Sequence, residues 1–214
     1  DKKFKGLVKG LVKGLVKEDF IYVFNGDIET TESLEVDLDM GLFVTGSIKA
    51  GEYIKAGWYI KAGEYIEAGG SIEAGESIEA GWYIEAGESI EASGSIEAGG
   101  YIEAGGSIKA SGSIKADGSI KAGGSIEAGG YYGIVAGLSI VCKGTLSFGL
   151  KIYAGICSWR EISEEEKTVT CGKFNGGVVE YGILKETGLE EEKDDKTEEA
   201  MKLLKERGYK IVKD

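Results

Sequence analysis

Proline and histidine are absent from the 214 residues, and methionine and cysteine occur only twice and three times. Without histidine, His-based triads, imidazole acid/base catalysis and His-ligated zinc are excluded. Cys142, Cys157 and Cys171 form no Cys-x-x-Cys pair, which leaves neither a zinc ribbon nor a disulfide framework. No run of about 18 apolar residues exists, so no segment has the text of a membrane-spanning helix. Positive charge is also short, with Lys+Arg at 25 against Asp+Glu at 37 and a formal net charge of −12. Phosphate binding depends on clustered cations, so nucleic acid is not an expected partner.

What the chain has instead is glycine, 36 of them, and a hexapeptide that recurs 14 times from Gly46. Ile falls every six residues from Ile48 to Ile126, with Ala two positions after each. Within a hexad, Ser/Tyr-Ile-Lys/Glu-Ala alternates outward and inward side chains, the period of a strand, and Gly-x supplies a corner. A strand of three or four residues cannot bury its apolar side alone, so each must stack on copies of itself. The expectation is an all-β fold, a three-sided parallel β-helix of about six to seven coils over residues 28–156. Its core ladder is exemplified by Ile66, Ile84 and Ile102 beside Ala68, Ala86 and Ala104. Irregular hexads extend it at both ends, including Ile28-x-Thr30, Val36-x-Leu38 and Leu42-x-Val44, and Gly130-Tyr131-Tyr132-Gly133 inserts two residues and resets the register. Tyr65, Tyr83 and Tyr101 recur at 18, which indicates three hexads per coil. The near-copy of 51–74 in 75–98, with Trp58 and Trp82 at equivalent places, is read as a duplication, although a period of 24 also fits four sides.

Two caps are expected. Residues 1–27 contain KGLVKGLVKGLVK at 5–17, which as a helix would carry glycine, apolar and basic stripes. Capping the rod is the preferred role for this segment, and contact with a membrane surface is the less favoured one. Residues 157–214 read as a small α/β cap: a hairpin turning at Asn175-Gly176-Gly177, then a helix opened by Asp195 and Glu198, with Ala200, Leu203 and Leu204 on its apolar side, ending at Gly208, and one more strand at 209–212.

The outward charges form stacks when the chain is wound at 18 per coil: Lys49, Glu67, Glu85, Glu103, Lys121; Lys55, Glu73, Glu91, Lys109, Glu127; and Lys61, Glu79, Glu97, Lys115. Cross-coil ion pairs at the stack ends are the expected reading, with a cation-binding carboxylate ladder as the alternative. Trp58, Trp82, Tyr65, Tyr83 and Tyr101 are the candidate binding residues, because exposed aromatic rows pack against subunits or sugar rings. Cys142 takes the inward Ala position of its hexad and is expected in the core.

The period is similar to that of hexapeptide acyltransferases with left-handed β-helices, but their small inward residue precedes the aliphatic one and their catalytic His has no counterpart here. The Gly-x-Ile-x-Ala alternation with a short basic apolar N-terminal segment more closely resembles bactofilins, over residues 28–154. That resemblance implies a right-handed solenoid of cytoskeletal type that polymerises end to end. No nucleophile-plus-base arrangement can be named. The expectation is therefore a non-enzymatic structural or assembly protein without catalytic residues, metal or cofactor, a rigid rod that forms homo-oligomers through its aromatic or terminal surfaces. The alternative is a binding module for carbohydrate or another surface polymer, using the Tyr/Trp positions. The expected location is the cytoplasm, or a phage or cell-surface assembly.

Overall fold

The computed structural model describes residues 16–18, 21–36 and 40–188. From Ile21 to Glu186 the chain winds as a three-sided parallel β-solenoid. One face is a nine-stranded sheet running from Ile28–Thr30, through Ile84–Ala86, to Ile183–Glu186. The other two faces meet through a single ten-residue strand, Thr145–Ala154, which rounds a corner and joins them into one 16-stranded sheet.

Each regular coil takes 18 residues, so Ile66 pairs with Ile84 and Ile84 with Ile102. This rung-to-rung identity settles the coil at three hexads, so the 24-residue likeness is not a coil period. Every Ile of the array is fully buried, and the Ala beside it nearly so. The reason is the two-residue strand period: any shift by one would turn all the Lys and Glu inward. Backbone hydrogen bonds tie the coils, with the Ile84 N–H donating to the Tyr101 carbonyl at 3.0 Å and the Gly87 N–H to the Ala68 carbonyl at 3.0 Å. Successive corners approach so closely that a Cβ on Gly75 would lie 1.8 Å from the Gly57 carbonyl oxygen, which explains the glycine punctuation.

The solenoid is longer than its regular text. It has about nine coils where six to seven were expected, because irregular stretches at both ends keep the stack without keeping the hexad. At the start, Ile21–Phe24 pairs in parallel with Gly41–Val44, placing Tyr22 over Leu42 and Phe24 over Val44. The rod therefore begins inside the segment expected as a cap. Val16–Glu18 folds back antiparallel on Ile21–Phe24, so the last residues of the expected helix are strand, and residues 5–15 lie outside the described residues. On the next rung the buried inward pair is Leu34 and Val36, two positions ahead of the expected Val36 and Leu38, since the first coil takes 20 residues and pairs Leu34 with Ile54. The insertion at Gly130-Tyr131-Tyr132-Gly133 has the same effect as expected, with Ile114 opposite Ile134.

At the far end the expected hairpin does not form. Lys173–Tyr181 is one strand running through Asn175-Gly176-Gly177 and pairs in parallel with Thr145–Ala154. Gly176 serves packing rather than turning: a Cβ there would lie 2.6 Å from the Phe148 ring, whose edge fills the space. Thr168–Cys171 and Ile183–Glu186 likewise add parallel rungs. The expected helix from Asp195 and the strand at 209–212 lie outside the described residues. The last described rung breaks the inward column. Where earlier rungs carry Ala104, Ala122, Cys142 and Cys171, it places Glu186, whose carboxylate accepts the Phe174 N–H at 3.2 Å.

Candidate functional site

With the register fixed, the outward residues form columns along the rod. The three charge stacks exist as expected. At their leading ends Lys49 meets Glu67 at 2.8 Å, Lys55 meets Glu73 at 2.5 Å, and Lys61 meets Glu79 at 2.7 Å. The carboxylate partners hold the Lys49 and Lys55 ammonium groups above their usual range, through the hydrogen bond first and charge second. All six side chains are substantially exposed, so solvent screens each pair and it adds little to stability. At the trailing end Lys121 and Glu103 stand 3.8 Å apart. Between these ends Glu85 faces carboxylates on both neighbouring rungs, and Glu91 and Glu97 each face one carboxylate and one lysine. Among the described residues no three metal-ligating side chains gather at one point.

The residue before each Ile forms a second set of columns. Two of these are serine ladders, in which the Ser107 N–H donates to Ser89 Oγ at 3.2 Å and the Ser113 N–H to Ser95 Oγ at 3.2 Å. On the third column Tyr65, Tyr83 and Tyr101 stack with ring centroids 4.9 Å apart and planes within 1° of parallel. The spacing is that of adjacent strands, because identical backbone gives each ring the same rotamer. Burial pushes the Tyr83 and Tyr101 phenols up, and the Tyr101 hydroxyl also donates to Glu85 Oε2 at 3.0 Å. The two candidate tryptophans are separated. Trp82, 59% exposed, precedes Tyr83 at the tyrosine corner, whereas Trp58 lies on a different corner, one hexad round the coil. The structure thus brings together Tyr65, Tyr83 and Tyr101, with Trp82 at the same corner and Trp58 away from them.

The apolar surface lies elsewhere. Among the described residues twelve large hydrophobic side chains are exposed; nine lie from Tyr131 to Leu184 and none between Trp82 and Tyr131. Tyr132, Leu150 and Val178 follow one corner over successive coils. The Leu150 N–H donates to the Tyr132 carbonyl at 3.1 Å, and Val178 pairs with Lys151 on the next rung. Sequence reasoning missed this stripe. Its signal was the arrival of apolar residues at outward positions after the Gly130 insertion, such as Val135 and Val141, where Lys115 and Lys121 stand one coil earlier.

Two of the three cysteines are core residues, and Cys157 is partly exposed. Cys142 and Cys171 are buried on adjacent rungs, and burial pushes the Cys142 thiol up to about 12, so it is a protonated apolar side chain at neutral pH. No helix among the described residues is long and apolar enough to cross a membrane.

Against protein-family models, curated proteins and solved structures, the chain returns no match. The bactofilin likeness is therefore one of residue pattern.

Proposed function

We propose that this chain is a non-enzymatic structural protein, a rigid rod that self-associates through the exposed apolar corner of its trailing coils. The supporting observation is the placement of Tyr131, Tyr132, Leu150 and Val178 on one corner, with Tyr131 87% exposed and Leu150 55%. A contiguous apolar patch on a soluble surface marks an interaction site. Two copies of a chain with net charge −12 repel one another over their carboxylate columns, and a corner where the neighbouring Lys151 and Glu180 neutralise each other at 2.8 Å is where they approach at least cost.

End-to-end growth of the bactofilin kind is disfavoured by Glu186. Stacking another coil on the last rung would bury its carboxylate in the column that Ala and Cys occupy elsewhere. Sedimentation of the full chain tests the reading. Discrete oligomers are expected, with Leu150→Lys plus Tyr132→Ser returning them to monomers of unchanged circular dichroism. Glu186→Ala is expected to introduce polymers. A parent chain that sediments as a monomer at every concentration sinks the assembly reading, and polymers of the parent would assign the contact to the rod ends.

A further inference from the structure

In the tyrosine column each ring covers its neighbour's face, and only the ends of the stack have faces to offer. The column reads Ser47, Tyr65, Tyr83, Tyr101, Ser119, Ser139. At its leading end Ser47 is buried, and its hydroxyl donates to Glu64 at 3.0 Å. At its trailing end, serine replaces tyrosine while the rung spacing stays the same, which leaves room for one more ring. A cavity of about 350 Å³ occupies that place, lined by Tyr101, Glu103, Gly118, Ser119, Lys121 and Leu138. Its volume is at the small end of ligand-binding sites.

The walls differ in chemistry. Tyr101 presents a ring fixed in orientation by the hydrogen bond from its hydroxyl to Glu85. Leu138 adds apolar surface. The polar side holds Glu103 and Lys121. At 3.8 Å they are more loosely paired than Lys49 and Glu67 at 2.8 Å, which leaves both able to bond another molecule. The Ser119 hydroxyl supplies a third polar group, 3.3 Å from that of Ser139.

We propose that this cavity binds a hexopyranose unit of a carbohydrate. Its C–H face stacks on Tyr101, and its hydroxyls bond the Glu103 carboxylate, the Lys121 ammonium and the Ser119 hydroxyl. A sugar ring matches both the apolar platform and the ionic rim, because its edge carries donors and acceptors. An aromatic side chain from a protein would match the platform alone and offer the loosely held Glu103–Lys121 pair no further hydrogen bonds as it excluded water from them. The site is independent of the assembly corner.

Calorimetric titration of the full chain with cellohexaose, maltohexaose and chitohexaose tests it. At least one is expected to saturate with a dissociation constant on the order of 1 mM. Ser119→Tyr extends the tyrosine column into the cavity; it is expected to weaken binding at least about tenfold while the melting temperature stays at or above the parent's. Lys121→Met keeps the platform and is expected to weaken binding about fivefold, and it carries the test if Ser119→Tyr melts lower. The proposal is overturned if no hexasaccharide saturates by about 20 mM, or if the well-folded variants bind as tightly as the parent. A fall in sedimenting mass on Ser119→Tyr would also overturn it, because the occupant would then be a second copy of the chain.

Discussion

The regular coils, residues 46–128, and the trailing coils, residues 130–186, share one backbone plan and differ in what they spend their outward positions on. In the regular coils nearly every outward position is Lys, Glu, Ser or a stacked Tyr, and the side chains bond along the rod to the next rung. In the trailing coils the same positions turn to Val135, Val141 and Tyr153, corners carry Tyr132 and Leu150, and long side chains point to solvent. The difference separates two tasks. Repetition satisfies most of a rod's own bonding, and departures from it, the trailing coils and the change from Tyr101 to Ser119, supply the surfaces on which something else can act.

The largest expected effect is at the middle of the regular stack. Ile84→Asp puts an unpaired carboxylate into a column with no polar partner and should destabilise by more than about 4 kcal/mol, read from the denaturant midpoint. A midpoint within experimental error of the parent would mean that the Ile column is not the core. In the trailing coils the sensitive positions are glycines against rings instead. Gly176→Ala drives a Cβ into Phe148 and should cost about 1–3 kcal/mol, whereas a surface hairpin turn would tolerate the change with less loss.

The tyrosine column gives a graded test. Tyr83→Ala removes two stacking contacts and should cost about 1–3 kcal/mol, and Tyr65→Ala removes one and should cost about half as much. Equal losses would show that the rings act singly. The smallest effect is confined to the loop that interrupts the trailing coils. Arg160 bonds Glu166 through Nη1 at 3.0 Å and Nη2 at 2.5 Å, and with the Ser163 N–H it holds the Glu166 carboxyl down to about 2. A carboxyl depressed in the fold favours the folded state above its ordinary value of 4.5 and loses that contribution as pH falls through about 2. NMR titration should find the Glu166 midpoint near 2, and Arg160→Met should move it back toward 4.5. A midpoint unmoved by that substitution would assign the depression to the backbone.

The regular coils were legible because one side-chain period fixes everything: with Ile and Ala inward, the coil, the charge stacks and the tyrosine column follow from the recurrence at 18. The trailing coils were not. Asn175-Gly176-Gly177 has the composition of a turn, and only the Phe148 ring opposite shows why glycine stands there. The eleven-residue excess between Ile140 and Val169, paired across 29 positions, destroys the register by which Glu186 could have been assigned to the inward column. The cavity beside Tyr101 is written in the sequence as Tyr, Tyr, Tyr, Ser at 18, yet a missing ring becomes a space only when the rung beneath it stays in place.

Near-identity of the rungs has a consequence for how the chain finds its structure. Sliding a middle segment by one hexad keeps Ile over Ile and Ala over Ala, so pairings of almost equal energy compete during folding. The features that break the tie are the unlike ones: the tyrosine column on one corner only, Ser93, Ser111 and Asp117 where other hexads carry Gly, the Gly130 insertion, and the distinct rungs at each end. A chain made perfectly regular would keep every core contact and lose the information that selects one winding. Its refolding would then yield a mixture of slipped registers, with loops of six surplus residues ejected at the corners.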